Sequence, residues 1–362
     1  AHIRDVGGSN PSSATKKMVS NKNNLNKLTS LEFLRFAAAL LVVMAHYNSY
    51  SNGFIGVNIF FILSGFVIMY ATEKNSKYFF LRRLIRIIPL YWLLTLLFFI
   101  GLLFFPNYFG RSEANIIYFL KSLFFIPFEN NGIQPGYGHS PYIFLGWTLN
   151  FEIFFYLIFQ ISMIINYKFR SSICILAIIF LNFVFNSIET DNFIIRTYSD
   201  SIILEFCFGI TIFNIWKIIE LEDTVEFVNL FLSIIASLLI IFYLYQDLSS
   251  FRFRTSFTAL SIVFFFTLIL RNISQYKILL LLGSVSYPLY LTHPYVREIL
   301  MRLNDNYKLI ESYNFLIIAS LILSIIISYF LYYYVERIII KFLNKQLLNY
   351  NKNISNLNLL FF

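Results

Sequence analysis

The sequence predicts an all-α polytopic membrane protein of about ten transmembrane helices with both termini in the cytoplasm. Three observations carry that expectation. The chain is 58% hydrophobic and 13% charged, with 44 Phe and 25 Tyr. Its apolar residues come in runs of about 18–22 separated by short polar loops, and about 20 helical residues at about 1.5 Å each cross a hydrocarbon core of about 30 Å. The cations fall unevenly between the two sets of loops.

The runs place spans near 31–49, 54–72, 84–105, 143–166, 172–187, 195–216, 227–246, 255–271, 277–296 and 313–336. The first, "LTSLEFLRFAAALLVVMAHYNSY", is apolar but carries Arg35 and His46. The second is Phe-rich and holds Gly53, Gly56, Ser64 and Gly65, small residues that let helices approach closely. Ser64 is expected to pack rather than to act as a nucleophile. The third follows Arg82, Arg83 and Arg86, with Pro89 at its start. A long outer loop, 106–142, has the length of a lid or a substrate-facing segment. The fourth span opens "GWTLNFEIFFYL"; Cys174 lies in the fifth and Cys207 in the sixth, with no spacing that marks a disulfide or metal motif. The seventh and eighth are plain apolar runs. The ninth, "GSVSYPLYLTHPYV", contains Pro288 and Pro294, which are expected to disrupt its helix. The tenth leads into an Asn- and Lys-rich tail.

With the N-terminus inside, the inner loops collect Arg82, Arg83, Arg86, Lys168, Arg170 and Lys217 among other cations. The outer loops, with Arg111, Lys121, Arg297 and Arg302 among theirs, hold about half as many, which sets the orientation. The +9 net charge thus reflects membrane topology, not nucleic-acid binding. Residues 1–28 are a polar extension set apart from the fold, 29–337 form one membrane domain, and 338–362 an interfacial amphipathic tail.

Charged groups in hydrocarbon cost several kcal/mol and usually face a bundle interior or a watery cavity. Arg35 and His46 are eleven residues apart, which brings the helix round to within about 20° and climbs about 16 Å. They therefore share one face, half a bilayer apart. Snorkelling of Arg35 beside Glu32 is the plain reading; a polar path through the bundle is the functional one. Arg83 and Arg86, one turn apart, can present guanidinium forks together, which suits phosphate. Glu152 lies about nine residues, about 13 Å, into the fourth span, at the depth of His46. It either bonds another helix or orients His46 as the third member of a base-orienter arrangement. Trp147 reads as a packing or interfacial residue; Tyr287, Tyr290 and His293 stand at the outer end of the ninth span, where His293 is either an interfacial helix-end histidine or part of an acceptor site. His139 is a weaker candidate in the outer loop, and Glu205 is intramembrane without an assigned role.

Five segments, "LEFLRFAAALLVVMAH", "GVNIFFILSGFVI", "RRLIRIIPLYW", "GWTLNFEIFFYL" and "GSVSYPLYLTHPYV", occur in that order. Together they resemble the integral-membrane acyltransferase family 3, over about residues 29–337. The family's first helix is similar in carrying an Arg-x10-His signature, here Arg35 and His46. An Asp often stands in the family where this chain has Glu32, a change that keeps the charge. The resemblance implies an acyl-CoA-dependent O-acyltransferase of the inner or plasma membrane. It would move an acyl group, usually acetyl, from cytoplasmic acetyl-CoA to a hydroxyl of an extracytoplasmic polysaccharide or glycolipid, with no metal.

On that reading Arg35, Arg82, Arg83 and Arg86 hold the donor, His46 and Glu152 are catalytic, and Trp147, Tyr287, Tyr290 and His293 bind the acceptor. His46 would take the hydroxyl proton as a general base or carry the acyl group itself; both routes stay open. A glycan transporter or flippase would spread its charges along a wide lumen, and a glycan polymerase would place its basic residues in a large outer loop. Here the charges collect at two depths.

Overall fold

The computed structural model describes residues 12–48, 51–106, 114–129, 141–221, 234, 251–269, 276–308 and 310–360. All regular structure among them is helical. In chain order the helices are α1 (Ser12–Asn48), α2 (Ile55–Lys74), α3 (Phe79–Phe104), α4 (Ile116–Leu123), α5 (Trp147–Ile165), α6 (Arg170–Ser187), α7 (Phe193–Tyr198) and α8 (Glu205–Leu221). They continue with α9 (Phe251–Phe264), α10 (Lys277–Tyr307), α11 (Tyr313–Leu331) and α12 (Arg337–Leu360).

Seven helical segments among the described residues are long and apolar enough to cross a membrane: Thr29–Tyr47, Ile55–Glu73, Phe79–Phe104, Phe144–Ile165, Arg170–Ser187, Ser201–Ile219 and Tyr313–Asn349. The chain is a multi-pass membrane protein. Of the other expected spans, 227–246 lies outside the described residues apart from Ile234. The span expected at 255–271 is the shorter apolar helix Arg254–Thr267. The span at 277–296 lies within the 31-residue α10.

Several boundaries differ from the sequence expectation for identifiable reasons. α1 begins at Ser12, inside the stretch set apart as an extension. The span expected at 195–216 is divided by one cap: α7, which Asn192 starts by accepting from the amides of Ile194 and Ile195, ends at Tyr198, and Asp200 accepts from Ile202 to start the 3₁₀ turn Ser201–Leu204. Pro288 and Pro294 do not disrupt α10, which runs through both. In the same stretch Thr292 Oγ1 donates to Pro288 O at 2.8 Å and Tyr47 OH to His293 O at 3.0 Å.

Burial orders the bundle. α2 and α8 are central, with 72% of their most apolar windows buried, whereas α3 and the last span are 28% buried. The outward faces of those peripheral helices carry Leu97, Leu103, Phe104, Ile318, Ile322 and Phe330, all exposed, as a lipid-facing surface requires. α2 and α8 cross where Gly65 meets Gly209. A Cβ on Gly65 would strike the backbone carbonyl of Phe206, and one on Gly209 that of Ile62, so the small residues set this contact. Asn58 Nδ2 and Ser256 Oγ both donate to Glu205 Oε1, tying α2 and α9 to α8 and giving that carboxylate a structural role. At the other end of α2, Arg170 and Lys217 converge on Glu73, the latter at 3.1 Å. Cys174 and Cys207 are both free and buried among apolar side chains, as expected for packing residues.

Candidate active site

α1, α2, α3, α5 and α10 enclose a cavity. Arg35 of α1, Ser64 of α2, Arg86 of α3, Thr148 and Glu152 of α5, and Ser286, Tyr287 and Tyr290 of α10 supply its polar lining, and Val57, Phe60, Phe61, Ile87 and Leu149 its apolar lining. Each polar group arrives on a helix whose remaining faces are apolar, so the bundle can be held by hydrophobic packing while one stripe stays polar.

Arginines and carboxylates alternate at one end of this cavity. Arg35 Nη1 lies 3.4 Å from Glu32 Oε1, one turn earlier on α1. The charges of Glu32, Glu336 and Glu152 act on Arg86, and those of Arg86, Arg35 and Glu152 on Arg83. The Arg83 guanidinium also sits 5.7 Å from the Phe79 ring centroid and 5.9 Å from that of Tyr156. Arg82 stands apart at the exposed rim, donating to Lys77 O at 2.5 Å. Glu152 accepts from Ser64 Oγ at 3.2 Å and from Tyr156 OH.

Of the two readings for Glu152, the contacts present are those of a bond to another helix, through Ser64 of α2, and not those of a partner to His46. The carboxylate lines the arginine end of the cavity and bonds to α2 and to its own helix, while the histidine has a different partner. Depth along a span located both residues in one layer of the membrane, but azimuth around α5 decides what Glu152 touches.

His46 pairs with His293. His46 Nδ1 is 2.8 Å from Val42 O and 3.4 Å from His293 Nε2, and His293 Nδ1 is 3.0 Å from Leu289 O. A carbonyl oxygen only accepts, so both Nδ1 atoms carry protons. His293 Nε2 then accepts, more weakly, from His46 Nδ1. In the neutral ring this leaves His46 Nε2 as a free lone pair, with no hydrogen-bond partner among the described residues. His293 is fully buried and is not among the residues that line the cavity. Tyr47 locks the pair from behind: its OH bonds His293 O at 3.0 Å and Ser324 Oγ at 2.7 Å, joining α1, α10 and α11. Phe54 and Phe144 pack edge-on against the His46 ring, with centroids 5.9 and 6.1 Å away.

The remaining expected site residues separate. Tyr287 and Tyr290 line the cavity, bonding Ile87 O at 2.8 Å and Thr148 Oγ1 at 3.0 Å. Trp147 packs into the core against Phe61 and Phe151 and is not part of the lining. His139 lies outside the described residues.

Two residues with a place here went unassigned in the sequence. Glu336 is 3% exposed, within the charges of Arg86 and Arg35. An acid near the end of an apolar run was the available signal. Tyr295 OH accepts from Phe144 N at 2.9 Å and donates to Tyr142 O at 3.1 Å, so α10 holds the segment that carries Phe144 against His46. No sequence signal separates it from the other tyrosines. Among the described residues no group of three or more His, Cys, Asp or Glu is placed to hold a metal ion.

The chain is similar to the exopolysaccharide production protein ExoZ of Rhizobium meliloti (strain 1021), 31% identical over 173 residues, 47% of this chain and 53% of that protein. It is similar to the peptidoglycan O-acetyltransferase OatA of Listeria monocytogenes, 32% identical over 152 residues, 38% of this chain and 24% of that protein. It is also similar to the O-acetyltransferase OatA of Staphylococcus aureus (strain NCTC 8325 / PS 47), 26% identical over 302 residues, 74% of this chain and 50% of that protein. The matches thus span about half or less of these relatives' length. No solved structure matches. The profile of the family described as acyltransferase domain covers residues 28–333, most of the chain including the cavity and the histidine pair, and the protein belongs to that family.

Proposed function

We propose that this protein transfers an acyl group, most simply acetyl, from cytoplasmic acyl-CoA to a hydroxyl of an extracytoplasmic polysaccharide or glycolipid. The observation that carries the proposal is the 2.8 Å contact of His46 Nδ1 with Val42 O, from which the tautomer of His46 is assigned. A histidine whose Nδ1 is committed to Val42 O and whose Nε2 is free is a preformed base. It stands on the helix whose Arg35 lines the cavity about 16 Å away.

The roles follow from where the groups lie. A thioester donor supplies an activated carbonyl and a thiolate leaving group. Arg82 at the rim, then Arg83, Arg86 and Arg35, form a graded set of cations for its phosphates. The inner three share their space with Glu32, Glu152 and Glu336, so phosphates meet a nearly balanced cluster there and Arg82, which stands outside it, makes the first contact. Ser64 and Tyr156 hold Glu152, which keeps Arg83 and Arg86 in place. Further along α1, beyond the lining of the cavity, His46 Nε2 takes the proton of the acceptor hydroxyl as the new C–O bond forms. The C–S bond breaks, and the proton passes from His46 to the departing thiolate. His293 holds the ring for both transfers, and the acceptor approaches from the side of Tyr287, Tyr290 and Phe144.

The relatives' names, an exopolysaccharide production protein and peptidoglycan O-acetyltransferases, support a polysaccharide acceptor. The test uses purified full-length protein in detergent or nanodiscs. Acetyl-CoA should raise its melting temperature, and acetate at equal concentration should not. An unchanged melting temperature with acetyl-CoA would refute the donor assignment and favour a transporter or polymerase.

A further inference from the structure

Arg297 is the feature of the histidine end that the catalytic scheme leaves unused. It lies one turn past His293 on α10, with its guanidinium carbon 5.8 Å from the centroid of the Tyr47 ring, and its charge acts on His46. Its Nε is buried and has no hydrogen-bond partner. Among the described residues no carboxylate is ion-paired to it; the neighbouring acid, Glu298, points along its own helix to Arg302 Nε at 2.7 Å.

A buried guanidinium donor left unsatisfied is costly in a protein interior. When His46 accepts the hydroxyl proton, a second cation forms beside the first. The carboxylate that chemistry would call for, Glu152, is committed to Ser64 and Tyr156 at the arginine end. The histidine end therefore acquires two positive charges with no carboxylate among the described residues paired to either.

We propose that Arg297 binds an oxyanion carried by the acceptor itself, so that this protein selects acidic glycans: a sugar carboxylate, or the phosphate of a glycosyl phosphate. The inference rests on the acyl-transfer reading above for the placement of the acceptor. The bound anion satisfies the guanidinium and offsets the imidazolium that the reaction creates, and a planar fork matches either group in two-point fashion. A neutral sugar can do neither.

The test compares three probes, methyl β-D-glucuronide, α-D-glucose 1-phosphate and methyl β-D-glucoside, by thermal shift titration of the purified full-length protein. Wild type should bind one or both acidic probes in preference to the neutral one, and which acid wins identifies the anion. Arg297→Gln should lose that preference, weakening the acidic probe by about tenfold or more, the scale of one charge-assisted pair. Arg297→Lys should retain part of it. An unshifted melting temperature without ligand shows that the variants are folded. If Arg297→Gln keeps the wild-type preference, or wild type does not distinguish acidic from neutral probes, the proposal is overturned. Acetyl-CoA stabilisation is measured in the same samples; its loss in wild type would count against the donor assignment alone.

Discussion

Replacing His46 by Gln isolates the base from everything else the residue does. His46 Nδ1–H donates to Val42 O at 2.8 Å, and the ring packs against Phe54, Phe144 and His293. A Gln amide NH₂ can donate to the same carbonyl and occupies a similar volume, so the folding cost should stay near about 1 kcal/mol, mostly lost ring packing. What Gln lacks is the free, basic Nε2 lone pair. Removing a positioned general base costs about 10²–10⁴-fold in rate, equivalent to about 3–5 kcal/mol on the barrier. The assay is mass spectrometry of acylated glycan from membranes that contain wild type and variant at equal levels. Acetyl-CoA thermal stabilisation serves as the control for fold and donor binding. Acylation by His46→Gln within a fewfold of wild type would show that His46 is not the base and that its tautomer has no catalytic meaning.

Further predictions concern its support. His293→Asn should retain acetyl-CoA stabilisation but reduce acylation by about tenfold to 10²-fold, because a misplaced base loses rate steeply with distance; a rate equal to wild type would reduce the histidine contact to packing. Arg35→Ala should weaken acetyl-CoA binding in calorimetry, with Arg83→Ala and Arg86→Ala acting more mildly because each leaves neighbouring cations; unchanged affinity in the folded Arg35 variant would remove that residue from the donor site. Gly209→Ala should lower thermal stability by about 1–3 kcal/mol through overpacking against Ile62 O, and a melting temperature at or above wild type would show that α2 and α8 can separate without loss.

The sequence by itself determined the class of the molecule. The length of its apolar runs requires membrane helices, since only a helix satisfies its own backbone in lipid, and the eleven-residue spacing of Arg35 and His46 fixes them on one face because helical periodicity is local geometry. Cysteines inside apolar runs were legible as packing residues for the same reason. Partners across the bundle were not legible. Glu152 and His46 lie at similar computed depth, yet Glu152 turns to Ser64 and Tyr156 while His46 meets His293. Trp147 falls in the core, and Glu336 joins the arginines from the end of the last span. Rise along a helix follows from residue number alone, but the rotation of one helix against another is set by ridge-and-groove packing and by contacts such as Gly65 on Gly209. The tertiary structure therefore decided which charges face one another and that His46 meets His293, while the contact of His46 Nδ1 with Val42 O is local to α1.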